Sequence, residues 1–214
     1  MLVIKLESSI TPLIKGLGSD PWTNSSFVSG DLTINGLLGN GSSKYLSTGL
    51  TANIAFPSDT DVGITCYISV ANNAGSNIDV GASQGSNFIE LCPCYAGTCY
   101  WDCFDTGGSR VSATNTSWVG YTSGNRIASN NTAVYQASST VTHNTLVSGS
   151  GSGGTRPTAN AIFAFARNND GYSSLYSSHR LSFVALHRGL TATDSATFFN
   201  TIQTLRQNLG GGYV

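Results

Sequence analysis

The segment SHRLSFVALHRGLTATDSATFF, Ser178 to Phe199, joins the two patterns that decide the fold. Its first half, RLSFVALH, alternates apolar side chains as one face of a β-strand does. Gly189 ends that strand. Thr191 and Asp194 then form a weaker variant of the capping box that opens helices. The segment therefore predicts a last strand that leads directly into a helix.

The residues that follow continue the helical pattern. Phe198, Ile202, Leu205 and Leu209 recur at helical spacing, and Gly210 suits a left-handed C-cap. A helix with one apolar stripe is marginal in isolation, so it must pack against other apolar surface. We expect it to dock on an edge or an open end of a β-sandwich.

Upstream of this segment the chain consists of short β runs divided by turn residues. DLTINGLL carries Asn35-Gly36, a strong hairpin signal, and VGITCYISV alternates from Val62 to Val70. NFIELCPCY and TCYWDCF form a predicted strand pair joined through Ala96-Gly97. Strands of this length and spacing are typical of all-β proteins. The predicted fold is a two-sheet antiparallel jelly-roll sandwich with one C-terminal amphipathic helix.

Composition excludes several classes of function. The 214 residues suffice for one sizeable domain, and charged residues make up only 10% of them. A net charge of -1 with scattered arginines argues against nucleic-acid binding. No apolar run is long enough to span a membrane, and the N-terminus lacks the features of a signal peptide. We therefore expect the chain to fold in the compartment where it is made.

Two segments resemble the concanavalin-like (laminin-G-like) jelly-roll modules of tailed-bacteriophage structural proteins. NGSSKYLSTGL, Asn40 to Leu50, is similar to an early strand of those modules. The run from FAFARNND through the C-terminal helix is similar to their ending: a strand closing in Arg-Asn-Asn, a Gly/Ser/Tyr loop, a last strand and a helix. Together they cover about a third of the chain. The resemblance implies a jelly roll and leaves the ligand open, because such folds host many functions.

Catalytic patterns are weak. Jelly-roll glycanases carry Glu-x-Asp-x-x-Glu on one strand, whereas this chain has only Glu7 and Glu90, and no second acid shares a face with Glu90 on its strand. A pair such as Asp102 and Asp105 is the alternative, but we expect both to be solvated strand-end acids. His179 and His187 flank the last strand, about 25 Å apart, and are not expected to share a site.

Two clusters invite a metal interpretation. Cys92, Cys94, Cys99 and Cys103 have the spacing C-x-C-x4-C-x3-C, which leaves open zinc binding, cross-strand disulfides, or reduced thiols used as small apolar side chains. The odd count of five cysteines favours reduced thiols. Asp59 and Asp61 form a weak calcium candidate on a loop. No metal or other cofactor is predicted as a working part of the protein.

Sugar binding needs exposed aromatic faces with polar neighbours. Tyr172, Tyr176 and Trp118 are the best candidates, and the loop NNDGYSSLYSS is the expected contact surface. Residues 1–29 are expected to form an attachment arm and residues 30–214 the jelly-roll domain.

These features predict a non-enzymatic structural protein on the surface of a tailed-phage virion, assembled in the host cytoplasm. It would be a capsid decoration or a tail or fibre component. Its expected partners are a major capsid or tail protein, further copies of itself and a host-surface glycan, with no nucleic acid and no membrane. A carbohydrate-binding adhesion module is the alternative, followed by a glycan hydrolase.

Overall fold

A computed structural model describes residues 22–72, 77–104, 110–151 and 154–210. The strand expected from Val3, Ile4 and Leu6, and most of the predicted arm, lie outside the described residues. The end of the predicted arm contributes a short strand, Thr23–Ser25, and the buried Phe27 to the sandwich. The boundary between residues 29 and 30 stays a prediction.

Sixteen strands and two α-helices occur in the described ranges. In chain order they are β1 (Thr23–Ser25), β2 (Leu32–Thr33), β3 (Gly36–Leu38), β4 (Tyr45–Thr51), α1 (Ala52–Ala55), β5 (Val62–Val70), β6 (Val80–Gln84), β7 (Asn87–Tyr95), β8 (Thr98–Cys103), β9 (Val111–Thr114), β10 (Gly120–Ala128), β11 (Asn131–Ala137), β12 (Asn144–Gly149), β13 (Ala161–Ala164), β14 (Arg167–Asn169), β15 (Tyr172–Ser174), β16 (Arg180–His187) and α2 (Ala192–Asn208). A 3-10 turn, Ser29–Asp31, precedes β2.

These strands form two sheets, as the sequence predicted. One follows the order β1-β4-β13-β6-β7-β8-β9, with β14 beside β6 and β15 beside β14. The other follows β12-β11-β10-β5-β16-β3-β2. Pairing is antiparallel except between β14 and β6. The predicted hairpin at Asn35-Gly36 is present, with Ile34 and Asn35 as its loop and Gly36 as the first residue of β3.

The main hydrophobic core lies between the two sheets. Val62, Ile64, Cys66 and Ile68 of β5 face it, as their alternation predicted, whereas Val70 at the strand end is 48% exposed.

Trp101 of β8 spans this core and fixes the two sheets against each other. It is fully buried and donates its Nε1–H to Thr132 Oγ1 of β11 at 3.1 Å. Its ring lies on Gly124 of β10, where a Cβ atom would come within 2.3 Å of Trp101 Cδ2. The contact therefore requires glycine at that position.

The C-terminal helix begins and ends as the sequence predicted. Thr191 caps it and accepts from the Asp194 amide, while Asp194 accepts from the Thr191 amide. Gly210 takes a left-handed conformation after its last turn, with φ of 79°.

The expected docking place of α2 was wrong. The helix packs on the outward face of the seven-stranded sheet, where aromatic residues replace the usual polar surface. These are Tyr67, Tyr121, Tyr135 and Phe183, one from each of β5, β10, β11 and β16. On this apolar sheet face the helix buries more nonpolar surface than it would on a sheet edge.

The helix face that meets this sheet is more polar than its predicted stripe. Phe199 and Ile202 are buried there, together with Ser195, Gln203 and Arg206. The tyrosine hydroxyls below account for this: Tyr121 Oη lies 2.8 Å from Ser195 Oγ, and Gln203 Nε2 donates to Tyr67 Oη. In the part of the chain that the structure describes, no helix is long and apolar enough to cross a membrane.

Candidate functional site

The outward face of the nine-stranded sheet carries a pair of carboxyl groups. Glu90 of β7 lies directly opposite Asp102 of β8. The two residues are 3% and 0% exposed. Asp102 is therefore not the solvated strand-end acid that was expected, and its partner is Glu90. Asp105, the other half of the predicted pair, lies outside the described residues.

A register shift in the β7–β8 hairpin brings these acids together. Next to the turn, Tyr95 pairs with Thr98, and continuing that register would place Glu90 opposite Cys103. The register shifts by one residue between Cys92 and Tyr95. A shift of one moves every side chain of a strand relative to its partners, so it sets Glu90 beside Asp102. Pro93 lies in the shifted stretch, where its missing N–H costs no ladder hydrogen bond.

Two arginines bind this pair. Arg110 donates two hydrogen bonds to the Asp102 carboxylate, from Nε to Oδ1 at 2.6 Å and from Nη2 to Oδ2 at 2.7 Å. Arg167 donates from Nη1 to Glu90 Oε2 at 3.4 Å. Burial, together with the charge and hydrogen bond of Asp102, raises the pKa of Glu90 from 4.5 to about 8, against the opposing effect of the two arginines. Below that pH Glu90 holds a proton.

The burial of both acids beneath two arginines limits the reactions that this cluster can catalyse. A carboxylic acid that stays protonated at neutral pH is what general acid catalysis uses. Here, however, both acids are buried, and the arginines that cover them are themselves stacked. The Arg110 guanidinium lies 4.9 Å from the Tyr100 ring centre, and that of Arg167 lies 5.1 Å from the Phe88 ring centre. The cluster links β7, β8 and β14 and offers a substrate no open carboxylate.

His179 and His187 lie at the two ends of β16, as the sequence predicted. His179 precedes the strand and is buried, with Nδ1 at 2.9 Å from Asp79 Oδ1. Ser177 donates its hydroxyl to the same oxygen at 2.6 Å. Because serine and histidine both bind the carboxylate, the imidazole does not activate the hydroxyl, and the three residues do not form a nucleophilic triad. His187 closes the other end, 2.8 Å from Thr65 Oγ1.

The five cysteines are buried, and none forms a disulfide with another described residue. Cys99 and Cys103 both face the core between the sheets. Cys92 instead donates its thiol to the Asn77 carbonyl at 2.7 Å. Burial raises the pKa of Cys99 and of Cys103 to about 12, which keeps both thiols protonated.

The predicted calcium residues are engaged by arginines. Asp61 Oδ2 accepts from Arg188 Nε at 2.5 Å, and its Oδ1 accepts from the Gly189 amide. Asp59 forms an ion pair with Arg156. No group of three or more candidate metal ligands occurs among the described residues. The zinc and calcium alternatives stay predictions.

The three aromatic candidates lie in different surroundings. Tyr172 is 79% exposed on the β14–β15 hairpin. Tyr176 shares a hydrogen bond of 2.6 Å with Ser173, and its ring centre lies 6.4 Å from that of Tyr45. Trp118 is half-buried and lines a pocket that neither of these tyrosines lines.

Sequence reasoning missed that this pocket also includes Asn77, Cys94 and His179. Its volume is about 240 Å³. These residues come from separate parts of the chain, and no spacing signal links them. Only their placement in the fold identifies the pocket.

Comparison with solved structures places the fold. Full-length tailspike protein 2 from an Escherichia coli O157:H7 bacteriophage is similar over 86% of this chain and 27% of its own, with 15% identity and a TM-score of 0.56. The enzymatically active domain of bacteriophage CBA120 tailspike protein 2 is similar over 86% of this chain and 30% of its own, with 14% identity and a TM-score of 0.56. At such identities the likeness shows the fold alone. The chain spans less than a third of either tailspike structure.

No protein-family model matches this chain. No curated protein matches it either.

Proposed function

We propose that this chain is a non-enzymatic structural protein of a tailed-phage virion, exposed on the tail or the capsid surface. The observation that carries the proposal is the likeness of its sandwich to phage tailspike structures over 86% of the chain. The resemblance of the Asn40–Leu50 segment and of the C-terminal strand and helix to phage jelly-roll modules points the same way.

The closed carboxyl cluster supports the non-enzymatic part of the proposal. Glycoside hydrolysis needs two carboxyl groups separated so that the scissile bond fits between them. Glu90 and Asp102 instead lie side by side, share a hydrogen bond and are covered by arginines. This arrangement fixes strands in place and leaves no room for a sugar between the acids.

The proposed mode of action is contact with other virion proteins. The weakly charged Ser/Thr/Asn-rich surface suits close packing of copies, because it carries little repulsion. We propose a major capsid or tail protein as the partner, with several copies of this chain arranged by the virion's symmetry. The N-terminal segment is the proposed attachment point.

Quantitative mass spectrometry of gradient-purified phage particles tests the virion assignment. We expect the chain at a fixed copy number relative to the major capsid protein, and immunogold labelling then separates tail from capsid. Loss of the chain from particles during purification, while known virion proteins remain, would contradict the proposal.

A polysaccharide panel tests the non-enzymatic assignment separately. We expect no release of reducing ends. Release that is abolished by Glu90→Gln or Asp102→Asn, but not by Asp170→Asn on an exposed turn, would show an enzyme instead.

A further inference from the structure

The β7–β8 hairpin sets two cysteines opposite each other. Tyr95 pairs with Thr98 beside the turn, and the next pair lies beyond the register shift. Between these pairs, Pro93 and Cys94 together lie opposite the single residue Cys99, as in a β-bulge. Opposite residues of antiparallel strands have Cα atoms about 4.5–5.5 Å apart, inside the span of roughly 4.4–6.8 Å that a disulfide bridges. The backbone of the hairpin therefore suits a disulfide at this position.

The two cysteines also share one face of the hairpin. Tyr95 and Tyr100 mark the outer face, because their ring centres lie 6.2 Å apart and Tyr95 is 40% exposed. Cys94 and Cys99 each precede one of these tyrosines, so strand alternation turns both to the opposite, inner face. Cys99 accordingly belongs to the core between the sheets. Burial, and then the nearby Cys94 sulfur, raise the pKa of Cys99 to about 12.

The two thiols differ in access. Cys94 is 8% exposed and lines the pocket that Trp118 lines, whereas Cys99 is fully buried. This pocket lies at one end of the sandwich, because Asn72, Trp118 and His179 stand just beyond the ends of β5, β10 and β16. Its volume of about 240 Å³ admits a small reagent. Such a reagent meets Cys94 first, with Cys99 behind it.

The remaining cysteines are placed less well for a cross-link. Cys92 pairs with Tyr100 and so shares the outer face with it. Cys66 belongs to β5 of the other sheet, and packed sheets lie about 10 Å apart. Cys103 lies opposite Ile89. Of the five cysteines, all of which the structure describes, one pair alone occupies facing positions on adjacent strands.

From this arrangement we propose that Cys94 and Cys99 form a dithiol site that exchanges with a small-molecule disulfide and closes to an intrachain disulfide across the hairpin. The Cys94 thiolate attacks one sulfur of the reagent, which forms a mixed disulfide and releases one small thiol. Cys99, after losing its proton to solvent, attacks the Cys94 sulfur, which forms the Cys94–Cys99 bond and releases the second small thiol. The two protein thiols are oxidised by two electrons, and the reagent disulfide is reduced to two thiols.

The cross-link acts on the hairpin that holds the carboxyl cluster. It spans the bulge, so it locks the register that sets Glu90 opposite Asp102. Disulfides of this kind are reduced in the cytosol and persist in oxidising surroundings, which makes the hairpin a redox-sensitive element. This inference goes beyond the virion assignment. Either can fail while the other stands, because the cross-link concerns the chain's own thiols.

Peptide mapping of the full chain after incubation with hydroxyethyl disulfide tests the proposal. Burial raises the pKa of both thiols, so the incubation is long and at alkaline pH, where more thiolate is present. The products are quenched in acid, and the remaining thiols are alkylated with N-ethylmaleimide. Chymotrypsin cleaves after Tyr95 and so separates Cys94 from Cys99. We expect the intact chain to lose about 2 Da, as two hydrogen atoms leave, and one disulfide to join these two peptides. Fragmentation of the linked peptides shows whether Cys92 or Cys94 carries the bond.

Matched variants separate the two steps. Cys99→Ala removes the second thiol, so the chain should stop at the mixed disulfide on Cys94. Cys92→Ala is the control, because it removes the other thiol of β7 and should leave the cross-link intact. If either variant unfolds by circular dichroism, the map of the unaltered chain still decides the outcome.

Three results would overturn the proposal. The first is an unaltered chain that keeps all its thiols or stops at the mixed disulfide. The second is a bond that joins Cys94 or Cys99 to a different cysteine. The third is a Cys94–Cys99 bond that forms only after the chain is unfolded in guanidinium, which would show that the folded hairpin keeps the two thiols apart.

Discussion

The substitution Glu90→Gln tests whether Glu90 is protonated in the folded protein, because glutamine has no titratable proton. The pKa of Glu90 is raised from 4.5 to about 8 by burial and by Asp102. Between these values the folded protein keeps a proton that the unfolded chain has released. Stability from this group is therefore greatest below pH 4.5 and is lost as the pH rises through 8.

The size of the effect on the free energy of unfolding follows from the pKa shift of Glu90. One pKa unit is worth about 1.4 kcal/mol, so a shift from 4.5 to about 8 corresponds to at most about 5 kcal/mol. The total free energy of unfolding of a small domain is about 5–15 kcal/mol, so Glu90 alone would dominate the pH dependence of stability. Glutamine cannot ionise, and its amide N–H can still donate to the Asp102 carboxylate.

Urea titrations followed by Trp fluorescence at several pH values between 4.5 and 8 measure this difference. We expect the two proteins to match near pH 4.5. Near pH 8, Glu90→Gln should be more stable than the unaltered protein by several kcal/mol. Titrating groups away from the cluster contribute equally to both curves, so the difference reports the Glu90–Asp102 pair.

Asp170→Asn is the matched control. Asp170 is an exposed turn residue whose Oδ1 accepts from the Gly85 amide at 3.0 Å, a bond that the asparagine oxygen can keep. Its curve should run parallel to that of the unaltered protein. If Glu90→Gln loses stability with rising pH as steeply as the unaltered protein, the buried carboxyl pair does not hold a proton, and the inference that burial keeps Glu90 protonated is wrong.

Three further predictions concern the fold. Thr191→Ala removes the N-cap of α2 and should lower the free energy of unfolding in urea by about 1 kcal/mol, and an unchanged value would contradict the capping role. Gly124→Ala places a Cβ 2.3 Å from Trp101 Cδ2 and should lower the free energy of unfolding by about 1–3 kcal/mol. In the control Gly30→Ala, where the added Cβ has no heavy atom within 4 Å, the free energy of unfolding should change by no more than about 0.5 kcal/mol. Equal losses in the two variants would refute the packing argument. Burial raises the pKa of the Cys94 thiol, so a thiol reagent at neutral pH should label the native protein slowly and the guanidinium-unfolded chain at once; rapid native labelling would show open thiols.

Local signals in the sequence were sufficient for the elements themselves. Thr191 and Asp194 cap α2 and Gly210 follows its last turn, because capping depends on residues within one turn of each other. The inward alternation along β5 and the hairpin at Asn35-Gly36 are equally local, and both were predicted correctly.

The carboxyl cluster could not be predicted, because strand register is not a local property. The β7–β8 hairpin was expected from Ala96-Gly97, yet a shift of one residue beyond the turn decides whether Glu90 faces Asp102 or Cys103. Arg110 and Arg167, which complete the cluster, come from other parts of the chain.

By itself, therefore, the sequence determined the all-β class, most of the strands and the ends of the C-terminal helix, since neighbouring residues and periodicity fix these. The tertiary structure alone decided three other features: the face on which α2 docks, the burial of Glu90 with Asp102, and the placing of Asn77 and Trp118 in the lining of one pocket. Each depends on contacts between residues distant in the chain. Their energies arise only when packing brings them together, so no sequence window contains them.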